Sequence, residues 1–175
     1  MARRKAVTNT LVASKKETIL SYIENLMHTI KQKNVAFVDK ATGVKYYYNN
    51  DVGYVDRQFE NITQDDIKKN GYNWIIINEK SHKWQQLVGG GFENRLQIQI
   101  VGFVCVQKQG ENLSTLMNSL QKDVFTAILK DVELGNMCSY IVPLSEYPVD
   151  NMIYPYGGVM MNFEIVYVAH DNLDF

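Results

Sequence analysis

Few residues in this chain are placed to do chemistry. Three consecutive glycines, Gly89, Gly90 and Gly91, invite comparison with a phosphate-binding loop. Such a loop needs a Lys followed by Ser or Thr after its last glycine, opening a helix. Here Phe92, Glu93 and Asn94 follow, and then an alternating strand pattern. The glycines therefore read as a flexible loop. His28, His82 and His170 are scattered, and no His–x–His or HExxH pattern joins them. Asp65 and Asp66 stand together at the start of a short helical stretch, where they complement the helix dipole. No GxSxG elbow marks a nucleophile. Cys105 and Cys138 each lie in an apolar, strand-like context and read as buried thiols, without zinc spacing. No catalytic residue, metal ligand or cofactor is expected, and the chain is expected not to be an enzyme.

The elements that position these residues follow from hydrophobic periodicity. Ser14 and Glu17 have capping-box spacing, and Ile19, Ile23, Leu26, Met27 and Ile30 recur on one helical face until Asn34. His28 beside this stripe is expected to pack. Val35 to Tyr48 reads as a hairpin around the turn-like DKATGV. Its consecutive Tyr46, Tyr47 and Tyr48 place rings on both faces, and a subunit contact would cover them. Thr63 can cap the short helix QDDIKKN, ended by Gly71. Asn73 to Asn78 reads as a strand, with Trp74 in the core, and Glu79 to Asn94 as a loop.

Arg95 to Gln107 alternates as a long strand. Leu96, Ile98, Ile100 and Gly102 share a face, with Gly102 permitting a bulge or a close approach. Asn112 or Ser114 caps a second helix with the stripe Leu113, Leu116, Leu120, Val124 and Ile128. Lys122, Asp123 and Lys130 are expected to point away, and Gly135 to terminate the helix. Cys138 to Leu144 reads as an edge strand, because Pro143 lacks a backbone donor. Ser145 to Gly158 reads as a loop unusually rich in apolar residues, and Gly158 to Ala169 as the final strand.

These elements predict an α+β fold. An antiparallel or mixed sheet is covered by two main helices, with a long variable insertion between the first helix and the long central strand. Residues 1–13 form an N-terminal arm with the basic cluster Arg3, Arg4 and Lys5. Residues 14–175 form one domain, of which 33–94 is a divergent hairpin region. At 175 residues the chain can bury a core without staples. Its net charge of -1 gives no global attraction to nucleic acid or membrane. No apolar run reaches the ~20 residues of a membrane span, and no secretory signal is visible, so a soluble protein is expected. Two thiols and no disulfide framework fit a reducing compartment.

The order helix, strands, long strand, helix, short strand, loop, final strand resembles the tail terminator and tail-completion proteins of long-tailed bacteriophages. The resemblance rests on RLQIQIVGFVCVQ (95–107), LQKDVFTAILKD (120–131), the ELGNM turn (133–137) and GGVMMNFEIVYV (157–168). It covers Arg95 to Ala169 and the first helix. It implies a virion protein of the neck region, assembled in the host cytoplasm. It implies a homo-hexameric ring that ends tube polymerisation and offers the surface for head–tail joining. Implied partners are further copies of the chain, the tail tube protein and a head-completion or neck protein, with genomic DNA only as passing cargo in the lumen and no membrane. Candidate subunit contacts are Tyr46, Tyr47 and Tyr48 on the hairpin, Gly89, Gly90 and Gly91, and Met152, Ile153, Tyr154 and Tyr156. Another phage connector subunit and a monomeric binding module are the alternative readings.

Overall fold

The computed structural model describes residues 13–57 and 71–169. The basic cluster at Arg3, Arg4 and Lys5, the stretch after Thr63 with Asp65 and Asp66 expected to be helical, and His170 lie outside the described residues.

Helix α1 (Lys15–His28) starts where expected. The Ser14 hydroxyl oxygen accepts from the Glu17 N–H at 3.2 Å. Glu17 does not complete the reciprocal capping box, because its carboxylate accepts from Arg57 Nη2 at 2.5 Å and from the Ser21 hydroxyl at 3.3 Å. Ile19, Ile23, Leu26, Met27 and Ile30 are all buried. The helix stops at His28, earlier than Asn34, where the Thr29 hydroxyl closes on the Leu26 carbonyl. His28 is exposed rather than packed, since its position falls off the apolar stripe.

The expected hairpin is present as β1 (Val35–Val38) and β2 (Lys45–Tyr47), antiparallel and forming a two-stranded sheet of their own. Its turn is made by the Asp39 carboxylate, which accepts from the Ala41 and Thr42 amides, and by Gly43 at a φ of 71°.

The main sheet has five strands. They are β3 (Tyr54–Asp56), β4 (Trp74–Gln86), β5 (Phe92–Cys105), β6 (Tyr140–Pro148) and β7 (Tyr156–Ala169), in the order β3-β4-β5-β7-β6. All pairs are antiparallel except β3 with β4. With α1 and α2 (Leu113–Leu129) this is an α+β fold with a mixed sheet.

Two stretches expected as loops are strand over half or more of their length. Residues 79–94 form a long hairpin, in which β4 runs straight through Ser81–Lys83 with a bulge and turns only at 87–91. Charged and polar side chains on an outlying ribbon conceal the alternation there. Likewise β6 continues to Pro148 and β7 begins at Tyr156, which leaves only 149–155 as loop. The strand holding Pro143 lies at the sheet edge, as its missing donor requires, with a register shift between Pro143 and Ser145.

The core lies between the sheet and the helices. Leu96, Ile98 and Ile100 of β5 and Met161, Phe163 and Ile165 of β7 are fully buried, with Leu120, Val124 and Ile128 of α2. Burying each such side chain contributes about 1.5–3 kcal/mol. Gly102 is a close approach rather than a bulge: a Cβ there would lie 2.9 Å from Leu120 Cδ2. The Asn112 side chain caps α2 by accepting from the Thr115 N–H at 3.2 Å. The helix ends at Leu129, before Gly135, which instead shapes the following turn at a φ of 68°.

Candidate interaction surfaces

Most of the exposed apolar side chains gather on two parts of the fold, while Trp84 and Val88 are exposed apart from both, at the β4–β5 turn. The first is the β1–β2 hairpin. Phe37 and Tyr46 stack across its strands with centroids 4.5 Å apart and planes 9° from parallel. Both stay about half exposed, as do Val38, Val44 and Tyr47. A three-residue strand against a four-residue strand cannot bury such side chains by itself.

The hairpin is held at its base. Tyr48 is 3% exposed, so it departs from the expectation that it meets a neighbour. Its ring joins the core, and Lys130 Nζ lies 3.4 Å from its hydroxyl. Beside it Asp123 of α2 is 2% exposed, which corrects the expectation that it points to solvent. Its carboxylate accepts from the Asn49 N–H at 2.9 Å, Asn49 Nδ2 at 2.7 Å, the Asn50 N–H at 2.8 Å and Asn50 Nδ2 at 2.8 Å. Asn50 Nδ2 also lies 3.1 Å from the Ser119 hydroxyl. A buried carboxylate survives only when its lone pairs are used in this way. Asp123 was legible only as a polar residue beside Val124; the paired asparagines at 49 and 50 are the donor set that would have exposed its role.

The second surface is β6 with the 149–155 loop. Tyr140, Val142, Leu144 and Tyr147 on β6 are exposed, and Ile153 and Tyr154 in the loop are 81% and 70% exposed. Met152 is half-buried, with its sulfur against Gly158, and Tyr156 opens β7 at the margin. The loop thus places Ile153 and Tyr154 outermost. Sequence reasoning found the loop but missed the β6 positions, although Pro143 marked the edge. A shallow groove of about 350 Å³ separates α2 from β6, lined by Met117, Gln121, Glu146, Tyr147 and Val159.

Gly89, Gly90 and Gly91 do not join either surface. They turn β4 into β5 with φ of 99°, 101° and 82°. That turn is at the Phe92–Ala169 end of the β5–β7 ladder, whereas the 149–155 loop is at the Cys105–Tyr156 end. At ~3.3 Å per residue the two ends are about 40 Å apart.

His82 and the two cysteines are engaged within the fold. His82 Nε2 lies 3.0 Å from Asn94 Oδ1 and 3.1 Å from the Tyr167 hydroxyl, within the sheet. Both cysteines are free and buried. Burial, with help from Asp131 and Glu133, pushes the Cys138 thiol up to about 11. Burial also raises that of Cys105, so both thiols stay protonated near neutrality. Among the described residues no three His, Cys, Asp or Glu side chains come together to hold a metal ion. No helix among them is long and apolar enough to cross a membrane. Comparison with models of known protein families and with curated proteins finds no match.

Proposed function

We propose that the protein is a structural subunit of the tail-terminator type, which assembles as a ring on the head-proximal end of a phage tail tube. There it stops tube growth and presents the face that joins the head. The observation that carries this reading is the concentration of most exposed apolar side chains on two separate elements, the β1–β2 hairpin and the β6 edge with its loop. A closed ring is built from a heterologous contact, in which one surface of each copy meets a different surface of the next. Two unlike apolar patches supply that arrangement, and patches of this kind mark interaction sites. In this reading the partners are further copies of the chain, the tube protein and a neck protein, and DNA passes through the lumen.

The test uses purified protein and purified tail tubes. Light scattering and electron microscopy should find rings, alone or only once tubes are present, at one end of each tube. Added protein should also halt elongation of growing tubes. Tubes that lengthen unchanged and carry no bound protein would sink the proposal.

A further inference from the structure

The two apolar surfaces carry opposite charge. From Lys31 to Tyr48 the chain holds Lys31, Lys33, Lys40 and Lys45 against Asp39 alone. Lys33, Lys40 and Lys45 are exposed and form no ion pair among the described residues. The Asp39 carboxylate is engaged by its own turn. The other surface is acidic along its own segment, and its basic neighbour Arg95 of β5 is held by Glu93 and Glu164. From Asp131 to Ala169 there is no Lys, Arg or His, while Glu133, Glu146 and Asp150 are exposed.

We propose that the basic aromatic hairpin of one copy docks on the acidic β6 edge and 149–155 loop of a second copy. Tyr47 and the stacked Phe37–Tyr46 pair then cover Leu144, Tyr147 and Ile153, and the hairpin lysines face Glu133, Glu146 and Asp150. Each copy offers one surface of each kind, so the contact repeats head to tail and does not pair like with like. Like surfaces meeting would bring lysines to lysines, or carboxylates to carboxylates, around an apolar centre, which is unfavourable. The union is made by side chains rather than by strand addition. Pro143 and the register shift after it interrupt the backbone edge of β6 that an added strand would need. The inference rests on the ring reading for the closure of the assembly, whereas the contact itself can be tested on the purified chain.

Charge reversal on each surface tests it, read by sedimentation across concentration and salt. The wild-type protein should self-associate, more weakly as salt rises. K33E/K40E/K45E and E133K/E146K/D150K should each associate at least roughly tenfold more weakly. An equimolar mixture of the two should recover association, because each altered surface then meets its complement. As a second measurement, Y47C mixed with I153C should give a disulfide-linked heterodimer on oxidation, while Y47C alone should not link to itself. The native cysteines are buried and do not compete.

A wild-type chain that stays monomeric at every concentration overturns the inference. So does undiminished association of E133K/E146K/D150K, or self-linking of Y47C, since either would mean hairpin-to-hairpin contact. Failure of the two folded variants to rescue each other would also overturn it. If the mixture recovers association but caps no tubes, the tail reading fails and the contact stands. If tubes are capped with either reversed surface, the contact fails and the tail reading stands.

Discussion

The β5–β7 ladder and the β1–β2 hairpin are both antiparallel pairs rich in apolar side chains, yet they are built for opposite ends. The ladder pairs fourteen residues of each strand without a register shift, and its inward face is sealed by α2. The hairpin pairs a few residues around an irregularity and leaves Phe37, Tyr46 and Tyr47 about half exposed. Composition does not separate them; cover does. Apolar area hidden by the chain's own helix stabilises the fold, whereas apolar area left on a tethered ribbon is available to another molecule. Substitutions in the two regions should therefore separate stability from association.

The largest loss is expected at the centre. Phe163 is fully buried beside Phe125, with centroids 5.4 Å apart. Phe163→Ala removes that contact and leaves a cavity, costing about 3–5 kcal/mol. Chemical denaturation should show a lower midpoint with an unchanged slope. A loss below about 1 kcal/mol would mean that this face is not the core.

Asp123→Ala strikes the tether instead. It strands the buried amide of Asn50 and the part-buried amide of Asn49, at a cost of about 2–4 kcal/mol. Hydrogen exchange should accelerate across 45–50 while β5 and β7 stay protected. Equal acceleration everywhere would show that the hairpin is part of the cooperative core. Gly102→Ala comes next, because its Cβ would press on Leu120 and force a shift of a tightly packed side chain. Overpacking of this kind costs about 1–3 kcal/mol, and Leu120→Val in the same chain should recover part of it.

How far the sequence was legible follows the same division. The stripes of α1 and α2 and the alternation of β7 were readable because one face of each is predominantly apolar and packs on the core. The β4–β5 ribbon beyond Asn78 was not, because its outlying residues are mostly polar or charged and only cross-strand pairing defines them. Asp123 was misread because a single polar residue at the edge of an apolar stripe looks the same whether it faces water or a buried donor set. Its partners lie more than seventy positions away, and no local pattern contains them. Tyr48 was misread for the converse reason: three identical side chains in a row give no hint of which one turns inward.

Alkaline pH offers a milder probe of the sealed region. The Cys138 thiol is raised from an ordinary value near 9 to about 11, chiefly by burial. A raised folded value means that its contribution is complete below about pH 9 and is lost as pH climbs toward 11, because the unfolded chain sheds the proton first. Tyr22, raised by its hydrogen bond to Asp131, acts in the same direction. Unfolding midpoints should therefore fall through this window, and Cys138→Ala should flatten the decline. A decline unchanged in that variant would assign it to other groups.

The smallest effect on stability should accompany the largest effect on association. Tyr47 is 53% exposed, whereas Tyr48 next to it is buried at the base of the hairpin. Tyr47→Ser removes ring area that the isolated chain does not bury, so its unfolding midpoint should shift by no more than about 0.5 kcal/mol. If the ring is an anchor between copies, the same change should weaken self-association by about tenfold or more, since aromatic anchors dominate such contacts. Ala36→Gly on the neighbouring strand provides the opposite control. Ala36 is buried, so the change should loosen the hairpin and register in hydrogen exchange. A stability loss in Tyr47→Ser as large as that of Ala36→Gly would mean that the tyrosine supports the hairpin from within. The contrast between sealed ladder and open ribbon would then fail at the residue where it is sharpest.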